Sequence, residues 1–238
     1  MPKGGIGLEP VIDKTEMQDL AERFENANPE DILREAVLKI PKLTIACSFG
    51  AEDMVILHIA MNIDREISVF YLDTDLLFQE TYELRDQAIE RYGIKNLLQV
   101  KPDLSLDEQV KQHGEALWAR DPDLCCNIRK IQPLKRTLAH FDGWVTGIRR
   151  EQSPTRKNAK AFEYDDKFGL VKVNPLALWT NEQVWTFIKD HDVPYNALHK
   201  KGYPSIGCYP CTKPIRAGED PRSGRWAGMK KTECGLHQ

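Results

Sequence analysis

No stretch of this sequence approaches the ~18 apolar residues of a membrane-spanning helix, so no transmembrane segment is expected. The opening residues, Met1-Pro2-Lys3-Gly4-Gly5-Ile6-Gly7, carry no apolar run, which reads against a secretory signal. Positive charge is not in excess. Lys and Arg number 33 against 36 Asp and Glu, the formal net charge is -3 and the pI is about 6.1. A general nucleic-acid surface is usually basic, so no nucleic-acid partner is expected and any phosphate recognition should be local. Internal repeats and low-complexity tracts are also missing. What remains is an ordinary globular composition, 41% hydrophobic and 29% charged. A length of 238 residues suits one large domain with an appendage, or two small ones. The expected location is the cytoplasm, where thiols stay reduced. Six cysteines in that compartment point to metal binding or catalysis more than to a disulfide framework.

Read in order, residues 1–13 look loose. Thr15 to Gln18 fits a capping box, and Met17, Leu20, Ala21 and Phe24 mark one helical face. Asn28-Pro29 opens a second helix with Ile32, Leu33, Ala36, Val37 and Ile40 inward. Leu43 to Cys47, Ile67 to Leu72 and Gly143 to Ile148 read as buried strands, and Asn96 to Val100 as a further strand. Helices fall between them: an apolar one around Met54 to Met61, one from Phe78 to Tyr92, then Leu106 to Val110, Ala116 to Trp118 and Cys125 to Ala139. Continuous apolar strands alternating with helices predict an α/β fold with a parallel twisted sheet covered on both faces. In such sheets ligands sit beyond the carboxyl ends of the strands. Ser48, Phe49, Gly50, Ala51, Glu52 and Asp53 fall there, as does Asp73-Thr74-Asp75. Phe162 to Tyr164 and Leu170 to Val173 read as short strands at an edge, and Thr180 to Gln183 caps a further helix. From Pro194 onward the chain is turn-rich and basic. The expected division is 1–27 as an extension, 28–211 as the α/β domain and 212–238 as a mobile arm.

The arm ends in Lys230-Lys231-Thr232-Glu233-Cys234-Gly235-Leu236-His237. A cysteine so near the terminus has no core to pack into, and cationic neighbours favour its thiolate. The alternative is a stray thiol on a frayed tail. Cys125-Cys126 and Cys208-Tyr209-Pro210-Cys211 offer four candidate ligands for zinc or an iron–sulfur cluster. A redox pair at Cys208/Cys211 is a further possibility. Adjacent helical residues point ~100° apart, which is awkward for one ion, whereas a cuboidal cluster has separated corners. Lys130, four residues after Cys126, should share its helical face. Arg149, Arg150 and Arg156 could clamp phosphate or sulfate, and Arg222 and Arg225 form a second pair. Surface charge is the usual fate of each such residue. Cys47 reads as core, and His58, Trp179 and Trp185 as packed.

The two cysteine pairs and Glu233-Cys234-Gly235-Leu236-His237 resemble the assimilatory adenylyl-sulfate (APS) reductases. These form the iron–sulfur branch of the APS/PAPS (3′-phospho-APS) reductase family. The resemblance runs from about Leu43 to the end. It implies an adenine-nucleotide α-hydrolase-like fold and a [4Fe-4S] cluster on Cys125, Cys126, Cys208 and Cys211, with Cys234 as the nucleophile. It sets the nucleotide against Ser48, Phe49, Gly50, Ala51, Glu52, Asp53, Leu72, Asp73, Thr74 and Gly147. Lys130, Arg149, Arg156, Arg222, Arg225 and His237 fall where family members contact phosphate and sulfate. Related ATP pyrophosphatases carry S-G-G-x-D-S in the loop where this chain has Phe49 in place of the first glycine.

The expected activity is therefore reduction of APS to sulfite and AMP through an S-sulfo intermediate on Cys234, with thioredoxin as reductant. A PAPS or dual-substrate reductase is the nearer alternative, and a non-enzymatic zinc module binding nucleic acid or protein the farther one. The sequence leaves a homo-oligomer open.

Overall fold

The computed structural model describes residues 11–229, 231 and 233–236. Nine α-helical stretches and six strands follow in chain order among these residues. The first helix, α1, spans Lys14–Arg23. Its cap is Asp13, whose carboxylate accepts from the N–H groups of Thr15 and Glu16. This corrects the capping box expected at Thr15, which lies inside the first turn; a carboxylate two residues earlier reaches the same orphan donors. The next helix, α2 (Pro29–Lys39), starts as expected, with Asn28 as cap and Pro29 in the first turn.

Six strands form one sheet: β1 (Leu43–Ala46), β2 (Ser68–Leu72), β3 (Leu97–Val100), β4 (Gly143–Val145), β5 (Phe162–Asp165) and β6 (Leu170–Val173), in the order β3-β2-β1-β4-β6-β5. All pairings are parallel except β5 with β6. β6 is therefore an interior strand, not the edge strand expected. All four of its residues are buried, and β5 takes the edge.

Alternate residues of the central strands feed two cores. Ile45, Val69, Tyr71, Val145, Val171 and Val173 pack against α1, α2, α3 (Ala51–Ile63), α4 (Gln79–Tyr92) and α9 (Asn181–Asp190). Phe70, Trp144 and Leu170 face the other way, against Leu134 and Leu138 of α8 (Gln132–Leu138). Period-2 side chains buried on both faces are what continuous apolar strands require. Each fully buried Leu, Ile or Phe contributes about 1.5–3 kcal/mol.

The remaining helices, α5 (Leu106–His113), α6 (Leu117–Arg120) and α7 (Pro122–Cys126), precede α8 in the β3–β4 crossover. Between α7 and α8, Asn127–Ile131 forms a π-helical turn, so the stretch from Pro122 to Leu138 is one helix with a wide turn in its middle. Such turns recur at functional sites because the extra residue re-aims the side chains around it.

β1 has β2 on one side and β4 on the other, the point where the strand order reverses. In open parallel sheets such a point, at the carboxyl ends of the strands, is where a ligand crevice forms. No helix among the described residues is long and apolar enough to cross a membrane.

Candidate functional site: a crevice and a cysteine-lined cavity

The loop after β1 enters α3 without a side-chain cap. Asp53, in the first turn of α3, accepts from both the N–H and the hydroxyl of Ser48 at 2.6 Å, which folds the loop back on the helix. Burial pushes the Asp53 carboxyl up to about 6, against the lowering pull of the Ser48 bonds. Gly147, just beyond β4, lies so close that a Cβ there would overlap the Asp53 carboxylate. Phe49 holds φ at +58°, a left-handed conformation that a bulky side chain adopts only under constraint. Its ring is buried and packs edge-on against Tyr71 at 5.5 Å. The substituted glycine position thus keeps a glycine-like backbone.

Arg149 is 5% exposed, and its guanidinium is already engaged. It meets Glu52 and Glu151 at 2.9 Å and the Trp179 carbonyl at 3.2 Å. Gln152 donates to Glu52 at 3.0 Å and accepts from the Arg149 N–H at 3.0 Å. Arg150 turns away, to the Ala159 carbonyl and Glu25.

Asp73 and Thr74 follow β2. Burial alone would raise Asp73, but the Tyr82 hydroxyl, the Asp75 N–H and the Gln99 amide outweigh it and hold the carboxyl below its ordinary value. Thr74 has its hydroxyl 3.3 Å from the Cys208 sulfur. Its carbonyl accepts from Arg129 Nε at 2.6 Å. Arg129 also meets Asp75 at 2.6 Å and Gln109 at 3.1 Å, and its side chain is only 1% exposed.

Beyond Thr74 lies a cavity lined by Cys125, Cys126, Cys208 and Cys211 together with Arg129, Lys130, Arg225, Trp118 and Trp226. All four thiols are free. Burial, then the neighbouring sulfurs, push Cys125 up to about 12 and Cys211 up to about 11. Lys130 is held above its ordinary value by the sulfurs of Cys208, Cys234 and Cys126, which outweigh its burial. Lys130 thus meets the expected face, but through the wide π turn, which brings Arg129 to the same wall. Among the described residues, no group of three or more His, Cys, Asp or Glu side chains is set to hold a single metal ion.

The C-terminal residues close this side. Leu236 packs on the core around Trp144 and Leu138, and Lys167 donates to the Gly235 carbonyl. Lys231 pairs with Asp123 and lies over the Trp226 ring. The tail therefore does find a core to pack into, contrary to the expectation from its position in the chain. Cys234 is half-buried, close enough to Cys126, Lys130 and Arg222 for their charges to act on one another. Arg222 and Arg156 both meet Glu233 at 3.0 Å. Arg225 lies over the Trp226 ring at 4.6 Å and donates to Ser205 and the Ile206 carbonyl, while its buried Nε finds no partner among the described residues. His237 lies outside the described residues.

The fold thus gathers Cys125, Cys126, Cys208 and Cys211 with Lys130 and Arg225 around one cavity, while Arg222 is held on Glu233. Ser48, Phe49, Gly50, Ala51, Glu52, Asp53 and Gly147 collect at the crevice, and Leu72, Asp73 and Thr74 lie between the two. Arg149 is set apart, since its donors are spent on carboxylates and a carbonyl. The cysteine spacing alone did not reveal Arg129; its only signal was a second cation beside Lys130 directly after the Cys125-Cys126 pair. Cys47 and His58 are packed as expected, Cys47 at 2% exposure and His58 against Tyr92 and Phe187.

Comparison with known proteins agrees with this architecture. The adenosine 5′-phosphosulfate reductase of Shouchella clausii is 48% identical over 227 residues, covering 95% of this chain and 94% of that protein. The reductase of the same name from Halalkalibacterium halodurans is 50% identical over 197 residues, 83% of this chain and 85% of its own. Among solved structures, the phosphoadenylyl-sulfate (PAPS) reductase of Candida auris, a phosphate complex, superposes with a TM-score of 0.75 at 29% identity, covering 88% of this chain and all of that one. The FMN adenylyltransferase of Candida glabrata, at 14% identity and a TM-score of 0.59, shares the fold alone. Residues 42–214 match the phosphoadenosine phosphosulfate reductase domain, and with relatives this similar over most of its length the chain belongs to that family.

Proposed function

We propose that this protein reduces adenosine 5′-phosphosulfate to sulfite and AMP in assimilatory sulfate reduction, with a thioredoxin as the dithiol donor. The observation that carries the reading is the cavity lined by Cys125, Cys126, Cys208, Cys211, Lys130 and Arg225, with half-buried Cys234 within electrostatic reach of Lys130 and Cys126. Relatives of the same name at about half identity support it.

The nucleotide lies along the crevice, against Ser48, Phe49, Gly50, Ala51, Glu52, Asp53, Leu72, Asp73, Thr74 and Gly147, with its sulfate toward the cavity. The Cys234 thiolate attacks the sulfate sulfur, the bond from that sulfur to the phosphate oxygen breaks, and AMP leaves. Cys234 now carries an S-sulfo group. An anion attacking an anion needs positive charge already in place; Lys130, Arg225 and His237 are the groups assigned to supply it directly, and Arg156 and Arg222, paired with Glu233, add to the field there. Arg149 acts through Glu52, holding the loop rather than the anion. A thioredoxin thiolate then attacks the Cys234 sulfur, releasing sulfite. The resulting mixed disulfide is resolved by the second thiol of thioredoxin, so both electrons come from the dithiol.

Cys125, Cys126, Cys208 and Cys211 are the residues that would hold a [4Fe-4S] cluster. Thiols set around a cavity suit separated iron corners, and the Thr74 hydroxyl and the Arg129 and Lys130 cations suit the charge of a thiolate-bound cluster. Bound there, such a group supplies a rigid anchor and a charged wall. In the same reading residues 28–211 form the nucleotide- and cluster-binding domain, residues 1–27 extend it, and the arm from 212 onward opens for thioredoxin and closes for chemistry.

The test is turnover of APS with a thioredoxin system, read as sulfite and AMP. Cys234→Ser should abolish turnover and leave APS binding unchanged. Sulfo-labelled enzyme trapped in that variant would refute the assignment of Cys234. The likeness to a PAPS reductase favours a second reading, a 3′-phosphorylated substrate. Rates on APS and PAPS measured side by side separate the two.

A further inference from the structure

Three donors from two separate segments converge on one buried carboxylate at the end of the chain. Glu233 is 6% exposed. Its Oε2 accepts from Arg156 Nη2 and Arg222 Nη2, both at 3.0 Å, and its Oε1 accepts from the Ser153 hydroxyl at 3.1 Å. The two guanidinium side chains are 9% and 17% exposed. The contacts continue inward. Arg156 also donates to Gln152, and Gln152 donates to Glu52 in the first turn of α3. An unbroken run of side-chain bonds therefore joins the tail to the crevice loop.

Glu233 directly precedes Cys234. Here the backbone at Cys234 is tethered by a side chain whose oxygens are fixed from both the 153–156 loop and Arg222. Without that carboxylate, two guanidinium groups would face each other in a site nearly closed to water, and the arrangement would open. We infer that Glu233 is a positioning residue for Cys234, its carboxylate clamping the tail to Arg156, Ser153 and Arg222 so that the thiol is seated at the cysteine-lined cavity. The kinetic half of this inference rests on the reaction proposed for Cys234. The structural half does not.

The test uses the holoprotein without substrate. Iodoacetamide labelling of Cys234 is followed by mass analysis of the peptide that carries it. Glu233→Gln should speed labelling by about tenfold or more, since a buried ion pair is broken. Arg156→Gln should speed it in the same direction, and the double variant should be no faster than the faster single one, because both remove one clamp. Glu233→Asp should fall between wild type and Glu233→Gln. In turnover, Glu233→Gln should lower kcat by about ten- to a hundredfold, the range expected when a reacting atom is displaced, with a much smaller change in KM. Should Glu233→Gln not fold, the Arg156→Gln labelling rate carries the test.

Labelling at the wild-type rate in the single variants, or rates that simply multiply in the double variant, would overturn the inference. If labelling responds as expected while Cys234→Ser still makes sulfite, the proposed reaction fails and the clamp stands. If the reaction holds and labelling does not respond, the clamp alone fails.

Discussion

The crevice and the cysteine cavity share one end of the sheet, yet their polar groups are treated in opposite ways. At the crevice each charge has an internal answer. Asp53 is met by Ser48, Glu52 by Arg149 and Gln152, and Asp73 by Tyr82 and Gln99. At the cavity four free thiols share one lining, Lys130 feels the charge of the sulfurs and Arg225 keeps a buried N–H without a partner among the described residues. A self-satisfied site holds its shape unaided, whereas unmatched buried groups are costly until something binds them. The difference teaches that the crevice keeps its shape through its own pairings, whereas the cavity leaves polar groups unanswered within the protein.

The largest effect that sharpens this contrast is expected at the cavity. Cys208→Ser removes the sulfur next to Thr74. If the proposed cluster is held there, it should strip iron and visible absorption from the purified protein and lower sulfite production by about a hundredfold or more, with far-UV circular dichroism of the sheet retained. Loss of the sheet signal together with the iron would break the comparison.

At the crevice the expected damage is to stability. Glu52→Ala leaves Arg149 buried with half its partners and should cost about 2–3 kcal/mol, read from the urea midpoint, less than for a wholly buried pair because Glu52 is partly exposed. Gly147→Ala should cost about 1–3 kcal/mol, because its methyl group would enter the space of the Asp53 carboxylate. A Gly147→Ala protein as stable as wild type would show that the loop yields.

The smallest effect is a pH dependence. Asp53 is raised from 3.8 unfolded to about 6 folded, so the folded state keeps a proton the unfolded state has lost. Its contribution is full below about pH 4 and fades as the pH rises to about 6. The stability difference between wild type and Asp53→Asn should shrink over that interval in melting curves. A difference that is flat with pH would mean that the carboxylate is charged throughout.

Much of this molecule can be read from local pattern. Asn28-Pro29 and Thr180 to Gln183 announce helix starts, and Leu43, Ile45, Val69, Val145 and their neighbours announce buried strands, because these signals act within a few residues. The cysteine pairs and the Glu233 to His237 tail are legible for another reason: their residue types are rare in such combinations. Other features depend on partners far along the chain. Burial of β6 follows from β5 folding back over the edge, which no feature of Leu170 to Val173 announces. Burial of Arg129 follows from a wide helical turn that brings it to Thr74 and Asp75. Arg149 pairs with Glu52, 97 residues away, a contact that local sequence does not encode.

The sequence by itself determined the layering of strands and helices, the set of thiols and the chemistry available at Cys234, since these follow from side-chain type and short-range period. Only the tertiary structure decided which cations remain for a ligand and which are consumed within the protein. The tail's seating on a core and a buried carboxylate was decided there too. The physical reason is that an ion pair acts over a few ångströms in space, while Arg222 stands 11 residues from Glu233 and Arg149 stands 97 from Glu52.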